Sequence, residues 1–173
     1  MVTVGIVSPG AMGSALGRGY AEGGARVVAT VAGRSARTRE LAHGIELLAS
    51  LEEVVGVADV VISIVPPGEA FAVATAVAAA ARSTGVEPLY ADVNAISPAH
   101  ATKLVGVLAP LRFVDGSISG GPPNVPGTRL YLSGPDAAEV AALHHPRLDV
   151  RLLAGPVGVA SAVKMCTASV YKG

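Results

Sequence analysis

The feature that most limits what this chain can fold into is a strand, a tight turn and a helix start run together at its beginning. Val2 to Val7 is a short apolar, β-branched run, the pattern of a strand buried on both faces. Ser8-Pro9-Gly10 turns the chain, and a helix begins near Ala11 with Ala15, Leu16, Gly19 and Tyr20 at helical spacing. A helix that starts directly after a strand gathers unpaired backbone N–H groups and the positive end of its dipole at one point, which suits an anion. The dinucleotide fingerprint G-x-G-x-x-G falls on Ser8, Gly10 and Gly13, with glycine at the second and third places. Pro9 brings no N–H, and Ser8, preceding a proline, is held extended. Gly10 still admits a pyrophosphate to the backbone, and Gly13 still lets the helix approach the strand.

Composition narrows the context. A chain of 173 residues suits one domain with a sizeable core. Half of it is apolar, 15% is charged and the formal net charge is zero, so it carries no electrostatic footprint for nucleic acid or an anionic membrane. Aromatic residues, at 3%, are too few for base-stacking platforms. Neither nucleic acid nor membrane is an expected partner. The single cysteine, Cys166, excludes an intramolecular disulfide and fits a reducing, cytoplasmic setting. No signal-peptide pattern opens the chain, and the alanine-dominated run from Phe71 to Ala81 is too short to span a bilayer. His43, His100 and the pair His144-His145 lack metal-site spacing, so no metal is expected and all four are placed on the surface.

Strands and helices then alternate at short intervals, the pattern of an α/β domain. Strands are expected at Arg26 to Ala32, Asp59 to Val65, Pro88 to Val93, Arg112 to Ser117, Arg129 to Ser133 and Asp149 to Leu153. Helices are expected at Arg37 to His43, Leu51 to Val57, Gly68 to Arg82 and Asp136 to Leu143, with another opening at Ser97-Pro98 and running to about Leu108. The implied architecture is a Rossmann-type, doubly wound, mainly parallel sheet, with a later strand or two antiparallel. Ligands of such sheets lie beyond the carboxyl ends of the strands. Those ends read Ser8-Pro9-Gly10, Gly33-Arg34-Ser35, Val65-Pro66-Pro67, Asn94-Ala95 and Ser119-Gly120-Gly121, all small, polar or turn-forming.

The second strand end bears on the cofactor. An acidic residue there would hold the ribose hydroxyls of NAD, whereas this chain offers Gly33, Arg34 and Ser35, with Arg37 and Arg39 behind them. Guanidinium pairs with phosphate through two parallel hydrogen bonds, so NADP is expected, with NAD possible. Ser8, Pro9, Gly10, Ala11 and Met12, together with Val65, Pro66, Pro67 and Asn94 at the later strand ends, are the other candidate cofactor contacts.

These motifs, in this order, resemble the 3-hydroxyacid dehydrogenase family, related to 6-phosphogluconate dehydrogenase and the imine reductases. The resemblance rests on Gly5 to Gly13, Asp59 to Pro66, Asp92 to Pro98, Asp115 to Gly121, and Gly155-Pro156-Val157-Gly158 followed by Lys164. Gly121-Pro122-Pro123, Leu130 to Pro135 and Lys164-Met165-Cys166 resemble a phosphogluconate-dehydrogenase-like subgroup. It implies that Lys164 is the catalytic acid/base while hydride passes to or from the nicotinamide. It further implies that Ser119, Gly120 and Gly121 hold a substrate carboxylate, and that Asn94 bonds the cofactor ribose or a substrate hydroxyl. Where the family commonly has asparagine after the lysine, this chain has Thr167 and Ala168; Thr167 is retained as a substrate contact.

The same resemblance divides the chain into a cofactor domain, 1–155, and the start of an interdomain helix, 156–173. The family's second, helical domain, which closes the site and builds a homodimer, is absent from this sequence. Val159, Val163, Met165 and Val170 would therefore pack against a neighbouring copy or fray. Three functions fit: an NADP-dependent oxidoreductase domain for a small hydroxyacid or related carbonyl compound, an imine reductase relative, and a non-catalytic NADP-binding module.

Overall fold

A computed structural model describes residues 1–172 of the chain, with side chains through Thr167; Gly173 and the side chain of Val170 lie outside that range. Eight strands form one sheet: β1 (Thr3–Ile6), β2 (Arg26–Thr30), β3 (Glu46–Leu48), β4 (Val60–Ser63), β5 (Leu89–Asp92), β6 (Phe113–Ser119), β7 (Arg129–Ser133) and β8 (Asp149–Leu152). Their spatial order is β3-β2-β1-β4-β5-β6-β7-β8. The first six run parallel, β7 is antiparallel to β6, and β8 is parallel to β7. Order reverses between β1 and β4, the switch point at which a doubly wound sheet opens a crevice.

The helices are α1 (Ala11–Glu22), α2 (Ala36–Leu41), α3 (Leu51–Val57), α4 (Ala70–Thr84), α5 (Pro98–Leu108), α6 (Ala137–Ala141) and α7 (Val159–Lys172). Alternate strand residues serve two cores. Val4, Ile6, Ile62, Ala91 and Val114 pack on Leu16 and Tyr20 of α1 and Val140 of α6. Val61, Tyr90 and Phe113 face Val55 of α3, Val77 of α4 and Leu104 of α5. Burial on both faces is why these strands read as unbroken apolar runs rather than alternating ones.

Helix ends follow the local chemistry. Ser50 and Ser97 cap α3 and α5 by accepting the N–H groups of Glu53 and His100, and Gly85 stops α4 in the left-handed region at φ +72°. A 3-10 turn, Pro67–Glu69, precedes α4 where the sequence suggested that helix itself would begin.

Two further features differ from the sequence reading. The edge strand β3 was not expected; it is short and exposed, and Glu46 is held there by two hydrogen bonds from Arg26 of β2. His145, placed on the surface by its sequence context, is only 4% exposed. The imidazole sits where α1 carries no side chains: a Cβ on Gly19 would lie 1.9 Å from its Nε2, and one on Gly23 would lie 1.9 Å from the carbonyl of His144. Tyr20 meets the imidazole edge-on at 5.1 Å, and Arg147 closes the notch with two hydrogen bonds to Glu22. Burial pushes the imidazole below its ordinary pKa.

Candidate functional site

At the end of β1 the chain doubles back so tightly that Gly10 donates its N–H to the Ser8 carbonyl at 2.8 Å, across Pro9. The buried Ser14 hydroxyl donates to the Pro9 carbonyl and pins the turn onto α1. Gly10 is the N-cap of α1, has no side chain to cap it, and no acidic residue stands in the first turn. The opening N–H groups of the helix therefore lack intrahelical acceptors. The two glycines do different work. A Cβ on Gly13 would lie 2.2 Å from the Ser8 carbonyl oxygen, so only glycine allows helix and strand this close. A Cβ on Gly10 would meet nothing within 4 Å, so that surface is open to a ligand. Room above Gly10, together with donors converging there, fits the diphosphate of a dinucleotide.

At the end of β2, Gly33 adopts φ +68° and the Arg34 N–H donates to the Val31 carbonyl at 3.0 Å, forming a turn that lifts Arg34 onto the rim. Ser35 is occupied as the N-cap of α2, accepting the Thr38 N–H at 3.2 Å. Arg37 and Arg39 are exposed on α2. Arg34 reaches across the rim to Glu69, with Nη1 3.8 Å from Oε2.

Beyond β4, β5 and β6 lies a cleft of ≈ 180 Å³, whose lining includes Met12, Val65, Pro67, Asn94, Ser117 and Lys164. Met12 stands in the first turn of α1, so the cleft begins beside the helix start that follows the glycine turn. Asn94 lines it but directs its amide inward. Its Oδ1 accepts the Val65 N–H at 2.5 Å, and its Nδ2 donates to Asp92 at 2.8 Å and Ser63 at 3.2 Å. The ends of β4 and β5 are thereby sewn together. Here the Asn94 side chain serves the rim's shape, and its hydrogen-bonding groups are engaged by the protein.

Beneath the cleft, Ser63, Asp92, Asp115 and Ser133 stand side by side on β4, β5, β6 and β7, all fully buried. Burial pushes the Asp92 carboxyl up to about 7, against hydrogen bonds from Asn94 that favour its charge, and nearby Asp115 adds to the rise. Asp115 serves α7. Its Oδ2 accepts the N–H groups of Gly158 at 2.9 Å and Ser161 at 3.0 Å and the Ser133 hydroxyl at 3.0 Å, while Oδ1 accepts the Ser161 hydroxyl at 2.6 Å. Ser117 donates to the Ala160 carbonyl at 2.8 Å. A side chain from the sheet thus caps the start of α7, one turn before Lys164. Lys164 lies across the end of β6, its Nζ donating to the Ile118 carbonyl at 2.7 Å, at the wall of the cleft.

The structure brings Met12, Val65, Pro67, Asn94 and Lys164 into one cleft. Ser8, Pro9, Gly10, Ala11, Gly33, Arg34, Ser35 and Pro66 lie along the rim outside it. Ser119, Gly120 and Gly121 lead into the β6–β7 loop, with Gly120 at φ +108° and the Thr128 hydroxyl within hydrogen-bond range of the Gly121 and Pro122 carbonyls, at 3.2 and 3.1 Å. Thr167 lies one turn beyond Lys164, with its hydroxyl 3.0 Å from the carbonyls of Val163 and Lys164. Ile64, Val93, Ser117 and Ile118 line the cleft without having been singled out from the sequence. They belong to the quoted strand-end motifs, and their position at those ends was the available signal. Among the described residues, no group of His, Cys, Asp and Glu could hold a metal, and no helix is long and apolar enough to cross a membrane.

Comparison with known proteins agrees with this geometry. Residues 3–145 match the model of the NAD-binding domain of 6-phosphogluconate dehydrogenase. An uncharacterised 28.5 kDa protein in the 7S RNA 5′ region of Methanothermus fervidus is 30% identical over 139 residues, which is 78% of this chain and 52% of that protein. The chain therefore spans about half the length of this curated relative. Among solved structures, the conserved protein MTH1747, described as of unknown function and similar to 3-hydroxyacid dehydrogenases, superposes with a TM-score of 0.87 at 31% identity, over 99% of this chain and 65% of that one. Mycobacterium tuberculosis 3-hydroxyisobutyrate dehydrogenase shares the fold with a TM-score of 0.82 at 24% identity, over 99% of this chain and 60% of that one. An imine reductase from Myxococcus stipitatus shares it with a TM-score of 0.78 at 21% identity, over 100% of this chain and 62% of that one. With the strand order, the glycine turn and the cleft beside them, the family match shows that the chain belongs to the 6-phosphogluconate dehydrogenase family, as its NAD(P)-binding domain.

Proposed function

We propose that this chain is the cofactor-binding part, residues 1–155 with the start of an interdomain helix, of a cytoplasmic, homodimeric NADP-dependent oxidoreductase acting on a small hydroxyacid or related carbonyl compound. The observation that carries this reading is the position of Lys164, whose Nζ lies at the wall of the cleft that begins at the first turn of α1. Nicotinamide, when bound, supplies the redox chemistry. The chain's own residues would do the rest. The α1 N-terminus and Gly10 would bind the diphosphate, and Arg34 would take the 2′-phosphate of NADP. Lys164, held by the Ile118 carbonyl until substrate arrives, would exchange a proton with the substrate oxygen, with a general acid/base contribution of about 10²–10⁴ in rate. Ser119, Gly120, Gly121 and Thr167 would border the substrate on the other side.

One observation favours the imine reductase alternative. The Thr167 hydroxyl is engaged by its own helix, which leaves this face with less to offer a carboxylate. Turnover on hydroxyacids and on cyclic imines, assayed in the full-length protein, separates the two, and absence of turnover on both would favour a binding module. Lys164→Ala should abolish turnover and spare NADPH affinity. Equal loss of both would make the lysine structural.

A further inference from the structure

We infer that Glu69 is a nucleotide-discriminating residue, which competes with the 2′-phosphate of NADP for Arg34; the inference rests on the assignment of Arg34 to that phosphate. In the sheet, β2 and β4 flank β1. Arg34 follows β2 and Glu69 closes the 3-10 turn after β4, so their ion pair arches over the end of β1. Strands two places apart are about 10 Å apart, and the two side chains bridge that span at the end of the sheet that carries the glycine turn. A dinucleotide whose diphosphate lies at Gly10 must carry its adenosine half past this pair.

Both backbones are fixed while both side chains remain free to part. Arg34 is held by its turn onto Val31, and Glu69 donates its N–H to the Pro66 carbonyl at 2.8 Å. The Arg34 and Glu69 side chains are 33% and 52% exposed and 3.8 Å apart, so the pair is weak and exchangeable. A phosphate approaching Arg34 meets a carboxylate already there. NADH lacks the 2′-phosphate and does not ask for Arg34. Glu69 therefore lowers the preference for NADPH that Arg34 creates.

The test is titration of NADPH and of NADH into the wild-type chain, Glu69→Gln, Arg34→Ala and the double variant, at low and high salt. Glu69→Gln should tighten NADPH by about two- to five-fold at low salt, the range expected of an exposed ion pair. The gain should shrink at high salt and vanish in the Arg34→Ala background, with NADH affinity changed less. If Arg34→Ala weakens NADPH but Glu69→Gln leaves it unchanged or weaker, the competition is wrong and the phosphate assignment stands. Equal gains for both nucleotides would also overturn it. If Arg34→Ala leaves NADPH affinity untouched, the phosphate assignment and the inference fall together.

Discussion

Along the β1–β2 side of the rim, the groups turned toward a ligand are mostly backbone: the uncapped start of α1, open space above Gly10, and a turn at Gly33. On the β5–β7 side they are side chains, and their bonding capacity is largely used within the protein. Asp115 takes four hydrogen bonds from α7 and β7, and Asn94 ties β4 to β5. The first side is left incomplete, as a phosphate site must be. The second is internally satisfied, and its yield is placement: it puts α7, and with it Lys164, against the end of β6.

If that contrast is right, the largest stability loss should come from the satisfied side. Asp115→Ala strips the cap from α7 and leaves buried donors unpaired, each costing about 1–3 kcal/mol, so a loss of about 3 kcal/mol or more is expected in denaturant melts. Asp115→Asn, which keeps an acceptor, should lose less. Gly13→Ala comes next, since its methyl would collide with the Ser8 carbonyl. Overpacking of this kind costs about 1–3 kcal/mol, and dinucleotide binding measured by titration should fall with it. Gly10→Ala sharpens the comparison, because its methyl enters open space: the melt should hardly move while nucleotide affinity drops.

Smaller effects are expected from pH, with opposite signs for two buried groups, Asp92 beneath the cleft and His145 against the trailing half of α1. The Asp92 carboxyl is raised from near 4 to about 7 in the fold, so the native state holds its proton more tightly than the unfolded chain. Its contribution is full below pH 4 and is lost as pH rises through about 7. His145 is shifted down, so its contribution is present above about 6.5 and lost as pH falls. Melts of Asp92→Asn and His145→Gln across this range should flatten the high-pH and low-pH losses respectively. A variant that left the wild-type slope intact would remove that residue from the account.

How much of this was legible follows the same division. Backbone devices leave a mark in the sequence: Gly10, Gly13 and Gly33 stand where a turn or a close approach requires them, and Ser97-Pro98 announces α5. The apolar runs of β4 and β5 show because both sheet faces are buried. What the sequence did not show depends on partners distant along the chain. The edge strand β3, Glu46-Leu47-Leu48, is too short to show a strand period and is defined by its pairing with β2. Asp115 was visible within a motif, but its role as the cap of α7 joins residues 43 and 46 positions apart. His145 looked like a surface histidine because the notch that receives it belongs to α1.

That notch bears on how the domain meets its nucleotide. The loop carrying His145 and Arg147 grips the trailing half of α1 from a point 125 residues further along the chain. The helix consequently has its tilt fixed before any ligand arrives. Docking at Gly10 need not immobilise a wandering helix, so the entropy such ordering would consume does not subtract from affinity.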